Sequence, residues 1–343
     1  MFNKLNNLKM TFMTMMILST IFAISSSSWI NIWISMEINA MSFIPIMMSI
    51  NQMKSSESMM LYFLVQSISS MNLLFFVMMM NLNFDWMKII INFMNNSMVI
   101  NLTLLMKIGA APFYFWFPKV IKMLSWNNIF ILMTWQKIIP LMLMKYCLIK
   151  NLIIMSIIFS VVMSSIMAFN QTNLKTIMSF SSINHLGWMM TAMIMNFNTM
   201  LIYFINYMVL NYILCKMFHL LNIKVLLNMF MSNFNNNYKT ILLINFLSLS
   251  GLPPFLGFFP KWLVIMNMMI NNHYILMTIL IMTALINLFF YLRILISTFM
   301  LSYNQLKWMI NFKWNKILLN NLMILSYLSI IMMIIITIIK QFN

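Results

Sequence analysis

GAAPFYFWFPK (residues 109–119) and GLPPFLGFFPK (residues 251–261) are two copies of one pattern. Gly109 and Gly251, Pro112 and Pro254, Phe113 and Phe255, Phe117 and Phe259, Pro118 and Pro260, and Lys119 and Lys261 all align at a single offset of 142 residues. The whole chain has seven prolines and four glycines, and these two windows hold five of the prolines and three of the glycines, so chance is a poor account of the match. Each copy lies inside a long apolar run. Proline withholds a helix hydrogen bond and glycine loosens the backbone. The pattern therefore predicts two interrupted membrane helices in two related halves. Such breaks are tolerated at membrane depth only where protein or a wet cavity meets the freed backbone groups. Paired breaks at corresponding places point to a transport path.

Composition agrees. The chain is 343 residues long, 63% hydrophobic and 7% charged, with a mean hydropathy of +0.92, whereas a soluble domain carries roughly 25% charged residues. The net charge of +17 does not point to nucleic acid, because the lysines are scattered and there is one arginine, Arg293. Lysines at the ends of apolar runs are what membrane topology needs. Cys147 and Cys215 have no disulfide or metal spacing. No cleavable targeting peptide is visible, and the 47 methionines fit an AT-rich genome in which AUA encodes Met. That points to a mitochondrially encoded product.

Apolar runs of about 20 residues mark spans. Eleven are predicted: 10–28, 29–48, 57–80, 96–119 (interrupted), 126–146, 151–169, 174–195, 199–221, 238–268 (interrupted), 275–300 and 319–339. The interrupted spans are fourth and ninth. An odd separation means they cross in opposite directions. The expected fold is all-α and polytopic, with two inverted five-helix repeats (1–149 and 150–301) followed by an amphipathic connector and a last helix (302–343). Trp308 and Trp314 would anchor the connector at the interface. Eleven loop lysines fall on the N-terminal side and three on the other, which places the N-terminus inside, in the matrix, and the C-terminus outside.

An ionisable group at mid-bilayer costs about 2.5–3.5 kcal/mol on insertion scales. Five groups are placed deep by their position in the spans: Glu37, Lys107, Lys137, His185 and Lys261. Lysines near span ends, such as Lys119, Lys122, Lys145 and Lys216, can snorkel to the headgroups. Lys107 and Lys137 are too far from an end. His185 suits a helix–helix hydrogen bond nearly as well as a proton role. His219, His273 and Arg293 read as structural, and Glu57 and Asp85 as solvated linker acids. Buried amines suit proton relay. Desolvation loosens an amine's hold on its proton and a nearby carboxylate restores it, so an acid–amine pair that opens and closes is a switch. The expected pair is Glu37 with Lys107, with Lys137 beyond them and Lys261 farther along in the second half.

KIGAAPFYFWFPKV, TWQKIIPLML, NQTNLKTIMSFSSINHLGWMM and LSGLPPFLGFFPKW together resemble the antiporter-like subunit family of mitochondrial respiratory complex I, in its NADH dehydrogenase subunit 2 branch. The wider family includes Mrp-type cation/proton antiporters. The resemblance spans essentially the whole chain. It implies a proton-translocating subunit of the inner mitochondrial membrane, coupled to electron transfer from NADH to ubiquinone. It also implies that Glu37, Lys107, Lys137 and Lys261 match the family's translocation residues. Tyr114 stands where many members have His, and Lys119 where they have an acidic or neutral residue. No cofactor is expected in this chain; FMN, iron–sulfur clusters, NADH and ubiquinone belong to other subunits. Expected partners are the other membrane-arm subunits and phospholipids such as cardiolipin. A free-standing cation/proton antiporter is the alternative, but sodium prefers several oxygen ligands and no second carboxylate lies deep in a span. A scaffold with vestigial charges would leave its lysines at the lipid ends.

Overall fold

The computed structural model describes residues 2–48, 53–81, 96–226, 236–300 and 323–327. Thirteen named helices cover most of them: α1 (Phe2–Ser25), α2 (Trp29–Met47), α3 (Met53–Asn81), α4 (Asn96–Ile108), α5 (Trp116–Met123), α6 (Trp126–Met133), α7 (Trp135–Met144), α8 (Lys150–Phe169), α9 (Leu174–Met195), α10 (Phe197–Leu220), α11 (Asn236–Ser250), α12 (Phe258–Ile270) and α13 (Tyr274–Met300). Among the described residues there is no β-strand, only an isolated bridge between Asn173 and Val225. Among the described residues six helices are long and apolar enough to cross a bilayer by themselves. The connector 302–316 and Asp85 lie outside the described residues, as does the predicted last span except for 323–327, which are helical.

The helices form because their apolar runs leave few other options for backbone polar groups away from water. Their many hydroxyls are satisfied inside the helix. Ser35 donates to the Ile32 carbonyl, Ser69 to Gln66, Ser160 to Ile157 and Ser182 to Ser179, each one turn back. Ser28 caps α2, its hydroxyl accepting from the Asn31 N–H at 3.4 Å. Glu57 is not in a linker. It sits exposed in the second turn of α3, near the helix N-terminus, where a carboxylate complements the helix dipole.

The chain forms two compact units, Met1–Ser156 and Ile157–Asn343. In the first, α3 packs against α2, α4 and α5, and α7 packs against α1, α4 and α6. In the second, α10 packs against α9, α11 and α12, and α13 packs against α11 and α12. The core of the second unit is α9, in which every residue from Leu174 to Met193 is buried. Gly187 lets it pack tightly: a Cβ there would collide with Val161 of α8.

Both interruptions are present, and their backbones share three matching hydrogen bonds, with the Gly109 N–H also donating to Leu105 at 3.0 Å. Gly109 and Gly251 end α4 and α11 at φ of 75° and 79°, a conformation that glycine adopts without strain. The Gly109 N–H donates to the Met106 carbonyl and the Ala110 N–H to Leu105; the Gly251 N–H donates to Ser248 and the Leu252 N–H to Leu247. These are paired Schellman ends. Phe113 then donates to Ala110, as Phe255 does to Leu252. Residues 109–115 and 251–257 are non-helical. Neither turn is wholly enclosed by its own chain: Pro112, Phe115, Pro253 and Pro254 are exposed.

The fifth span differs from expectation. It is broken at Thr134 (φ −115°, ψ −69°) into α6 and α7. The Thr134 hydroxyl donates back to the Phe130 carbonyl at 2.7 Å, which competes with the helix ladder. Pro140, inside α7, has no N–H to give the Gln136 carbonyl.

Candidate functional site

In the first unit the break delivers Lys107. It lies in the last turn of α4, two residues before Gly109, and only 7% of it is exposed. Its Nζ donates to Met36 Sδ at 3.6 Å, a weak acceptor. Glu37 is the next residue of α2. It is half-buried, and its carboxylate acts electrostatically on both Lys107 and the Tyr62 hydroxyl. Lys107 thus contacts the residue next to Glu37 on α2, with a methionine sulfur on the amine. A cavity of about 20 Å³ adjoins Lys107, lined by Met36, Asn39, Gln66, Lys107, Gln136 and Pro140 among others. Gln66 donates to the Lys107 carbonyl at 3.3 Å, and the Trp116 indole to the Met106 carbonyl at 3.1 Å. Gln66 thus covers the Lys107 carbonyl, and Trp116 adds a second donor to the Met106 carbonyl, which already accepts from the Gly109 N–H. Trp116→Phe removes the second of the Met106 carbonyl's two donors, and the expected cost is about 0.5–1.5 kcal/mol of stability. Thermal denaturation of the assembled protein checks it. An unchanged midpoint would mean that the Gly109 N–H alone satisfies the Met106 carbonyl.

Lys137 is the most enclosed lysine of the five deep groups, 1% exposed in the first turn of α7. Its ammonium lies 4.9 Å from the centre of the Phe117 ring, which belongs to the first repeated motif. The Thr134 break and the 109–115 break therefore meet at this side chain.

In the second unit Lys261 follows the break, at 6% exposure. Its Nζ donates to the carbonyls of Ser250 at 2.8 Å and Leu249 at 3.3 Å, and lies 5.7 Å from the centre of the Trp188 ring. A cation thereby completes the C-terminal end of α11, where the helix dipole favours positive charge. The matching residue of the first unit, Lys119, is exposed. His185 is one turn from Trp188 on α9. Its Nδ1 is 2.8 Å from the Tyr203 hydroxyl, and a cavity of about 10 Å³ is lined by His185, Tyr203, Tyr207, Leu249 and Pro260 among others. His185 and Lys261 thus share Leu249: it lines the histidine's cavity and its carbonyl accepts from the lysine. Among the described residues no group of three His, Cys, Asp or Glu could hold a metal.

Residues 26–287 match the family described as NADH:quinone oxidoreductase/Mrp antiporter, transmembrane. The chain is 43% identical to NADH-ubiquinone oxidoreductase chain 2 of Anopheles gambiae, over 93% of this chain and 94% of the relative. It is 36% identical to the chain 2 of Locusta migratoria, over 94% of each. This chain belongs to the NADH-ubiquinone oxidoreductase chain 2 family. Its fold resembles that of a chain of respiratory complex I from Thermus thermophilus, with a TM-score of 0.76 at 16% identity, over 94% of this chain and 77% of that one. A chain of the Mrp complex from Dietzia sp. gives a TM-score of 0.78 at 12% identity, over 96% and 75%.

For this chain 2 family member, the charged residues were legible and their neutral neighbours were not. Gln136 donates to Asn39 Oδ1 at 3.2 Å and to Met16 Sδ at 3.5 Å, and its Oε1 accepts from the Tyr62 hydroxyl at 3.2 Å. A glutamine beside a lysine within TWQKIIPLML, and Asn39 two residues after Glu37, are the signals that point to this network.

Proposed function

We propose that this chain is a proton-translocating, multi-pass membrane subunit of mitochondrial NADH:ubiquinone oxidoreductase. The observation that carries it is the set of three lysines, Lys107, Lys137 and Lys261, each at most 7% exposed and each beside a break in its helix. A cation enclosed in an apolar bundle is costly unless it is matched, and the groups that meet these three include a sulfur, a ring face and two helix carbonyls rather than a row of carboxylates. Such amines can take up and release protons as their surroundings shift. The half-buried Glu37 supplies the shifting charge in the first unit. His185 with Tyr203 supplies a second exchangeable group beside Lys261.

The redox chemistry belongs to other subunits, where FMN, iron–sulfur clusters, NADH and ubiquinone are expected. Neighbouring membrane-arm subunits and phospholipids such as cardiolipin are the expected partners. The shared bonding of the two breaks and the like packing of α3 and α10 support two five-helix repeats. The repeats would be inverted, with the N-terminus in the matrix and an eleventh helix last. The fold likeness to an Mrp chain keeps a cation/proton antiporter as the second reading. Sodium exchange through the isolated chain would favour it.

Glu37→Gln tests the reading. In the assembled complex it is expected to lower the protons moved per NADH oxidised. Assembly and the rate with an artificial electron acceptor should stay near normal, because Gln fills a similar volume. Proton uptake into vesicles is the measurement. An unaltered ratio would make Glu37 structural and remove the first step.

A further inference from the structure

We propose that Gln136 is a positioning residue that couples the Lys107 cavity to Lys137, and that it holds one water against Lys107. The inference rests on the reading that the first unit conducts protons.

Gln136 and Lys137 are consecutive in the first turn of α7, so their side chains leave the helix about 100° apart. One reaches the wall of the Lys107 cavity and the other reaches the Phe117 ring. The Thr134 break makes α7 a short helix of its own, with Pro140 weakening its ladder. Its orientation must then be set by side chains as well as by backbone. Gln136 ties α7 to three other helices at once: α1 through Met16, α2 through Asn39 and α3 through Tyr62. A rotation of α7 that moved the Lys137 ammonium from Phe117 would have to break those bonds.

The cavity is suited to a water. Its volume of about 20 Å³ exceeds the roughly 10–15 Å³ that a single water requires. Its lining includes an ammonium (Lys107) and three amides (Asn39, Gln66 and Gln136), enough donors and acceptors for the two to four bonds that a buried water makes. Both Gln136 N–H bonds go to Asn39 and Met16, and Oε1 keeps one lone pair beyond its bond from Tyr62, so Gln136 can accept from a water that in turn accepts from Lys107. Gln66 fixes the opposite wall, because its amide is committed to the Lys107 carbonyl.

Gln136→Leu, of similar size, removes the bonds and keeps the packing. In the assembled complex in vesicles, proton transfer through this chain is expected to slow about 100-fold, the scale of a misplacement of about 1 Å, and the protons moved per NADH to fall. Tyr62→Phe removes one tether and should give a smaller loss in the same direction. A purely structural role would lower the amount of assembled complex and leave the ratio of protons to electrons in the surviving complex unchanged, and that outcome overturns the proposal. A second measurement needs no variant. A map of the unaltered complex at a resolution that reveals waters is expected to show one within hydrogen-bond distance of Lys107 Nζ and the Gln136 amide, and a dry cavity overturns this part. If Glu37→Gln lowers the ratio and Gln136→Leu does not, Gln136 is no coupler and the reading of the first unit stands. If neither lowers it, that reading fails as well.

Discussion

Gly257→Ala is expected to remove this chain from the assembled complex. Gly257 is the residue before α12, and a Cβ there would run into the carbonyl oxygen of Ser248, with the Ser248 carbonyl carbon close behind. Ser248 is in the last turn of α11, and its carbonyl already accepts from the Gly251 N–H at 3.0 Å. Both sides of the collision are backbone, so no change of rotamer relieves it. The second Schellman end would have to open, or α12 would have to shift along α9 and α10, which it packs against. We expect a cost of about 3 kcal/mol or more, at the upper end of overpacking effects. That is roughly a hundredfold in the folded population. The matching residue of the first unit is Phe115, which carries a side chain and is 60% exposed, so Phe115→Ala serves as the mild control. The abundance of assembled complex on a native gel is the measurement. Normal amounts with Gly257→Ala would mean that the two helix halves do not approach as closely as described.

Lys261→Met and Lys261→Arg are expected to fail in different ways. Methionine keeps the apolar stem and loses the donor. The carbonyls of Ser250 and Leu249 are then left without their cation, at about 1–3 kcal/mol each. Water cannot easily replace it, because the space beside Gly251 is taken by the lysine stem itself. Arginine restores charge and donors but does not release its proton in a protein. The expected outcome is a loss of both assembly and proton transfer with Met, and a loss of proton transfer alone with Arg. General acid–base groups contribute about 10²–10⁴ in rate, so the loss of proton transfer through the second unit should be near complete. The proton-to-electron ratio of each variant, measured beside its thermal midpoint, decides. Normal proton movement with Lys261→Arg would limit this residue to capping α11.

What could be read beforehand follows from how rare each signal is. Glycine and proline are so scarce here that two matched clusters stood out, and they became the two breaks, with Gly109 and Gly251 in the same left-handed turn. Charges are equally scarce, so Lys107, Lys137 and Lys261 stood out and are buried. The third break was hidden because Thr134 is an ordinary residue in a helix. It needs the hydroxyl's bond to Phe130 and the missing donor of Pro140 six residues on. The network around Gln136 was hidden because a neutral amide carries no topological or titration signature. Its meaning comes from Met16, Asn39 and Tyr62, which are distant in sequence and lie on three different helices. The motif itself does not separate Lys119 from Lys261; their place in the spans does, Lys119 near an end and Lys261 deep. They occupy the same place in the motif, and packing exposes one and buries the other.

The enclosure of α9 bears on how the chain enters its membrane. This helix is buried along almost its full length and carries Lys175, Asn184 and His185, and it is not among the helices apolar enough to cross alone. Insertion machinery that tests each segment against lipid would reject it singly, since lysine, asparagine and histidine are all unfavourable in hydrocarbon. Its neighbours in sequence, α8 and α10, are long and apolar enough to cross on their own. During synthesis α9 must therefore wait at the insertion site until α10 emerges and shields it, or enter as one body with α8. The helix at the centre of the second unit is then the one whose delivery depends most on the order in which the ribosome releases the chain.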